Sequence, residues 1–166
     1  MDYLEVIKKK IITDENLESL LTYWRLKDNR IVFTNGCFDI IHRGHIEYLS
    51  KAASLGDILV VGLNSDRSVK LIKGDDRPLQ DEYTRALVLA SLKQVTGVYL
   101  FDEETPYKLI SRVKPDVLVK GGDYKAEDIV GADIVKAKGG EVVTIDFVEG
   151  YSTSGLIEKL QNKSSE

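Results

Sequence analysis

The chain has 166 residues, 43% of them apolar and 30% charged, with a formal net charge of -4 and a pI near 5.3. That length suits one domain burying roughly 70% of its unfolded surface, and the acidic balance argues against a broad nucleic-acid or membrane-binding face while leaving room for a local basic pocket. No stretch approaches the ~20 apolar residues of a membrane span, the start Met1-Asp2-Tyr3-Leu4-Glu5 lacks the order of a signal peptide, and a single cysteine, Cys37, excludes an internal disulfide, so a cytoplasmic protein is expected.

Residues 1–29 place Leu4, Ile7, Leu17, Leu20, Leu21 and Trp24 at loosely helical spacing, with Thr13 or Asp14 as N-cap of a second helix. They are expected to form a helical leader packed on the core. Ile31-Val32-Phe33 reads as a buried strand, and Ile46, Leu49, Ala52 and Ala53 recur at helical spacing up to Gly56. A second apolar run from Ile58 to Asn64 completes a β-α-β unit. Ser65 to Pro78 is too polar for a strand and reads as an exposed turn with a short helix. A helix from about Asp81 to Lys93, a strand Val98–Phe101, a helix opened by Thr105-Pro106, a strand Asp116–Val119, a helix Lys125–Lys138 ending at Gly139-Gly140, a strand Glu141–Ile145 and a terminal helix capped by Ser152-Thr153-Ser154 follow. Residues 162–166 read as a loose tail. The alternation predicts an α/β fold, a Rossmann-like doubly wound open sheet of about five parallel strands with helices on both faces.

In such a sheet ligands sit beyond the carboxyl ends of the strands. Four polar segments occupy those ends: Asn35 to His45, Asn64 to Lys73, Lys120-Gly121-Gly122-Asp123, and Gly150 to Ser154. The first is the focus, because it holds both histidines of the chain, His42 and His45, at a glycine turn that opens a helix. Unpaired backbone N–H groups and the helix dipole make such a turn an anion site. A metal site would need further ligands, and only scattered carboxylates are on offer. The turn is neither a Walker loop nor a dinucleotide fingerprint. Imidazoles donating hydrogen bonds to phosphate oxygens fit it better.

Gly36-x-Phe38-Asp39-x-x-His42-x-Gly44-His45 resembles the signature of the cytidylyltransferase-type nucleotidyltransferases. Asn64-Ser65-Asp66, Lys73-Gly74, Arg77-Pro78, Val119 to Tyr124 and Ser152-Thr153-Ser154 extend the resemblance along nearly the whole chain from about Lys10, and the combination is similar to the adenylyltransferase domain of bacterial heptose 1-phosphate biosynthesis. The resemblance implies a single nucleotidyltransferase domain over residues 1–166. It also implies transfer of AMP from ATP to a heptose 1-phosphate, giving ADP-heptose and pyrophosphate, with Mg²⁺ on the triphosphate, a separate sugar kinase upstream, and a homodimer.

By the same resemblance His42 and His45 hydrogen-bond the phosphates and Lys73 closes over them, with Lys70 as its competitor. Asn35, Gly36, Cys37 and Phe38 form the turn whose backbone meets the α-phosphate, and Arg85 contacts the nucleotide, against a surface pairing with Glu82. Asp66 is open between a ribose contact, a brace for the lysine loop and an N-cap. Gly121, Gly122 and Asp123 let the backbone approach the nucleotide, and the hydroxyls of Ser152, Thr153 and Ser154 suit phosphate. Many relatives follow those hydroxyls with an arginine where this chain has Gly155, so that arginine's role does not transfer. Asp39 reads as an internal brace of the turn. A cytidylyltransferase for glycerol 3-phosphate or a similar alcohol phosphate, and a nucleotide-binding regulatory module without turnover, are the alternatives.

Overall fold

A computed structural model describes residues 1–122, 125, 128–146, 150 and 155. In chain order these form α1 (Tyr3–Lys8), β1 (Ile11–Ile12), α2 (Asp14–Leu26), β2 (Ile31–Gly36), α3 (Arg43–Ala53), β3 (Ile58–Asn64), α4 (Asp66–Lys73), α5 (Glu82–Ser91), β4 (Gly97–Phe101), α6 (Tyr107–Val113), β5 (Val117–Gly121), α7 (Ala132–Ala137) and β6 (Glu141–Ile145). The strands form one parallel sheet in the order β1-β4-β3-β2-β5-β6.

Successive strand residues alternate between two cores, as the two-residue period of a strand requires. Ile31, Phe33, Val60 and Leu118 pack with Leu17, Leu21 and Trp24 of α2, Ile110 of α6 and Val135 of α7. Val32, Val61, Val117 and Val119 pack on the other face with Leu49 of α3 and Ala86 and Leu89 of α5. Every residue of β3 is buried, so its near-continuous apolar run is that of a central parallel strand.

Two expectations need correction. The sheet has six described strands rather than about five, because the leader supplies an edge: Ile11 pairs with Val98 and Ile12 with Tyr99. Two residues are too short to show any periodicity, and only the exposed edge of β4 turns them into a strand. The helix expected over Lys125–Lys138 is helical, among the described residues, only over Ala132–Ala137. Gly131 precedes it at φ +86°, where an added Cβ would lie 2.7 Å from Ile110 Cδ1, so the chain breaks there to pack closely on α6. Thr13 is the N-cap of α2, its own N–H donating to Asn16 Oδ1 at 2.9 Å. The terminal helix and the 162–166 tail lie outside the described residues.

From β2 the chain winds outward through β3 to β4, then crosses back to β5 and β6 on the other side. The strand order therefore reverses between β2 and β5, the place where an open α/β sheet takes its ligand. Their ladder contains only Val32 with Val117 and Phe33 with Leu118, although β2 runs on to Gly36 and β5 to Gly121. Beyond Phe33 the two strands part and leave a crevice.

Candidate nucleotide site at the carboxyl edge of the sheet

Tyr48 bridges that parting. It projects from α3 with its hydroxyl 2.6 Å from Thr34 Oγ1 on β2 and donates to the Val119 carbonyl on β5 at 3.4 Å. The hydroxyl thus supplies a partner to a carbonyl that the ladder leaves, satisfying a buried acceptor that would otherwise be costly. Burial pushes the Tyr48 phenol up to about 12, so it stays protonated and available as a donor.

The histidine turn leaves β2 through Gly36 and Phe38. The Phe38 ring folds back over Gly36, where a Cβ would meet it at 2.9 Å, and Phe38 itself takes φ +45°. His42 is the N-cap of α3 and His45 lies in its first turn. Their rings stack with centroids 3.9 Å apart and planes inclined by 23°, while Phe38 lies against His45 at 5.2 Å. Both Nδ1 atoms are buried without a hydrogen-bond partner among the described residues. Burial lowers the affinity of both rings for a proton. For His45 it acts with the charges of His42 and Lys73, against a hydrogen bond to the Ile40 backbone, and brings the value down to about 4. At neutral pH the pair is therefore two neutral imidazoles at a helix N-terminus, their Nδ1 atoms unpartnered among the described residues.

Asp39 sits beneath this turn, 2% exposed, and accepts from the backbone N–H groups of Leu79 at 2.9 Å and Gln80 at 3.0 Å and from Arg77 Nε at 2.7 Å. Burial opposes its ionisation, but these donors prevail and hold the carboxyl below its ordinary range. It is a brace, as expected from the sequence, and its partners are Arg77, which opens the cis Arg77–Pro78 peptide, and Leu79 and Gln80 just beyond it.

Arg85 does not pair with Glu82 on the surface: its side chain is wholly buried. Nη1 donates to the Cys37 carbonyl at 2.7 Å and the Asn64 carbonyl at 2.9 Å, Nε to the Gln80 carbonyl at 3.0 Å, and Nη2 to Asp66 Oδ1 at 2.7 Å. One guanidinium thus ties the ends of β2 and β3 to the start of α5. Asp66 is correspondingly a brace for the lysine-bearing helix, and the N-cap of α4 is Ser65. Glu82 accepts instead from the Asp66 backbone N–H at 2.9 Å.

Lys73 ends α4, exposed, before Gly74. Its charge bears on both His45 and the Cys37 thiol, which burial otherwise pushes up. Asn35 and Gly36 close β2, Gly121 closes β5, and Gly122 N–H donates to the Ile145 carbonyl at 3.0 Å, tying the end of β5 to β6. The structure therefore brings Asn35, Gly36, Cys37, Phe38, His42, His45, Asp66, Lys73, Gly121 and Gly122 to one edge of the sheet. Asp123, Ser152, Thr153 and Ser154 lie outside the described residues. Sequence reasoning missed Tyr48, whose only signal was its place three positions after His45; it noted Arg77 and Lys120 only as members of the Arg77-Pro78 and Val119 to Tyr124 segments and gave neither a role.

No group of three potential metal ligands occurs among the described residues, and the rim carboxylates Asp39 and Asp66 are engaged by Arg77 and Arg85. The described residues thus offer no protein cage for Mg²⁺. No described helix is long and apolar enough to cross a membrane.

The parallel sheet is split at its reversal point, with paired histidines at the helix N-terminus beside the split, the outline of a Rossmann-like nucleotide site. The chain belongs to the cytidylyltransferase-like family, whose match covers residues 33–158. It is 55% identical over 148 residues to the bifunctional protein HldE of a Nitratiruptor species, covering 89% of this chain and 31% of that protein. It is also 55% identical over 163 residues to the bifunctional protein HldE of Campylobacter jejuni subsp. doylei, covering 98% of this chain and 33% of that protein. The chain thus spans about a third of the length of these relatives. Among solved structures, the lipopolysaccharide core biosynthesis protein from Thermoplasma volcanium GSS1 aligns with a TM-score of 0.58 at 31% identity, over 75% of this chain and 99% of that one. Pantoate-beta-alanine ligase from Francisella tularensis shares the fold at a TM-score of 0.55 and 19% identity, over 82% of this chain and 66% of that one.

Proposed function

We propose that this chain transfers AMP from ATP to a heptose 1-phosphate, giving ADP-heptose and pyrophosphate for a lipopolysaccharide or surface glycan. The observation that carries the phosphate chemistry is the stacked His42/His45 pair, neutral and, among the described residues, unpartnered at Nδ1, at the N-terminus of α3 beside the β2–β5 crevice. The likeness over most of the chain to HldE proteins, and to a lipopolysaccharide core biosynthesis protein, supports the choice of acceptor.

In this reaction a phosphate oxygen of the sugar phosphate attacks the α-phosphorus of ATP in line. The bond from the α-phosphorus to the bridging oxygen breaks, and that oxygen leaves with pyrophosphate. The acceptor oxygen is already anionic, so the protein need supply neither nucleophile nor base. Its task is to align two anions and to stabilise charge gathering on the α-phosphoryl and the leaving group. His42 and His45 are the fixed donors, the α3 N-terminus adds its dipole, and Lys73 closes as a mobile cation. Mg²⁺ accompanies the triphosphate, held by phosphate and water. The acceptor comes from a sugar kinase, the setting is the cytoplasm, and the working form is a homodimer.

Purified protein, Mg²⁺, ATP and D-glycero-D-manno-heptose 1-phosphate should release pyrophosphate. Release only when CTP and glycerol 3-phosphate replace this pair would assign a cytidylyltransferase instead. Nucleotide binding with no pyrophosphate from either pair would leave a regulatory module.

A further inference from the structure

One half-buried cation at the crevice has no use within the described protein. Lys120 lies on β5 between Val119 and Gly121, beyond the last β2–β5 ladder pair, Phe33 with Leu118. It makes no hydrogen bond or ion pair among the described residues. Other shielded cations are spent: Arg85 on Asp66 and three carbonyls, Arg77 on Asp39, and Lys10 on the carbonyls of Leu92 at 3.1 Å and Val95 at 2.9 Å. An ammonium withdrawn from water without a counter-charge costs free energy that an incoming anion recovers.

We propose that Lys120 receives the phosphate monoester of the acceptor substrate, as the cation on the β5 wall of the β2–β5 crevice. This rests on the reading of the site as a nucleotidyltransferase centre and deepens it. Strand alternation places Lys120 on the face of Leu118, which packs against α2, α6 and α7, and opposite Val119, which packs on the α3 side with Tyr48. The histidines belong to α3. In-line displacement requires the attacking oxygen and the leaving pyrophosphate on opposite sides of the α-phosphorus. A cation on the far face of β5 from the histidine pair is where the second anion is received.

Burial lowers the proton affinity of Lys120, with the Cys37 thiol acting against it. A phosphate monoester, whose second pKa is about 6, arrives already deprotonated. It asks the lysine for charge and not for base catalysis.

Two measurements test the assignment. Trace acetylation of the intact chain, read by mass spectrometry with and without inorganic phosphate, should show phosphate protecting Lys120 and not Lys70; equal labelling of Lys120 in both samples would overturn the proposal. In pyrophosphate-release kinetics, Lys120→Met should raise the acceptor KM by about tenfold or more, the loss of one charge-assisted hydrogen bond. The ATP KM should stay within about twofold, the thermal midpoint should not fall, and Lys120→Arg should recover part of the acceptor affinity. An unchanged acceptor KM, or a lowered midpoint with uniform loss, refutes the assignment. If the wild-type chain releases no pyrophosphate from heptose 1-phosphate, the choice of sugar fails, while the phosphate-protection experiment still decides the role of Lys120.

Discussion

Asp39 and Arg77 lie 38 residues apart in sequence and meet through a 2.7 Å hydrogen bond from Arg77 Nε to Asp39 Oδ2, both side chains largely withdrawn from water. The pair joins the histidine turn to the segment that follows Lys73, so the two proposed phosphate-binding elements share one anchor. Asp39→Asn removes the charge and leaves Arg77 buried without its counter-ion, a change that commonly costs ~3–5 kcal/mol. Urea unfolding should show a loss of that order, and kcat should fall because the turn and the lysine segment lose their common register. Wild-type stability in this variant would refute the bracing role.

Arg85 presents the same logic at the junction of β2, β3 and α5. Arg85→Ala strands the Cys37, Asn64 and Gln80 carbonyls and the Asp66 carboxylate. Each carbonyl left unsatisfied away from water costs ~1–3 kcal/mol, while the Asp66 carboxylate, 36% exposed, is partly met by water, so the variant should be strongly destabilised or fail to fold. Arg85→Lys keeps the charge and should fold with a lowered midpoint. If Arg85 instead touched only nucleotide, Arg85→Lys would raise the ATP KM at unchanged midpoint, and denaturation beside steady-state kinetics separates the two cases.

His45 makes folding stability depend on pH in a defined direction. Unfolded, its imidazole takes a proton near the ordinary value of 6.5; folded, it waits until about 4. Between these values the unfolded chain binds more protons, so the stabilisation present above pH ~6.5 is lost as pH falls towards 4. Urea midpoints measured across that window should fall less steeply in His45→Gln than in the wild type. The same variant should lose ~10²–10³ in kcat, the usual effect of removing one preorganised donor.

Lys73 and Lys70 are separated by function rather than by stability. Both are exposed on α4, so neither Lys73→Ala nor Lys70→Ala should move the thermal midpoint appreciably. Pyrophosphate release should drop in Lys73→Ala and stay near wild type in Lys70→Ala. The reverse pattern would assign closure to Lys70.

The alternation of strand and helix, the parallel sheet and the histidine turn were all legible in the sequence, because each is written in local terms. Apolar runs of three to seven residues, periodic helices and a glycine turn holding two histidines need no distant partner to be recognised. The resemblance carried by Gly36 to His45 and the later strand-end segments then pointed to nucleotidyl transfer, and the family match agrees.

What tertiary structure alone decided are relationships between residues far apart in the chain. Ile11–Ile12 became a strand only because the β4 edge offered unpaired groups. Arg85, ambiguous on its helix, was settled by carbonyls and a carboxylate from three other segments. The parting of β2 from β5, the Tyr48 hydroxyl that bridges it and Lys120 on its wall, unpaired among the described residues, arise where separate stretches converge. Sequence specified which groups this protein carries and the elements that bear them; burial and long-range hydrogen bonding determined which of those groups are consumed by the fold and which stay unpaired among the described residues.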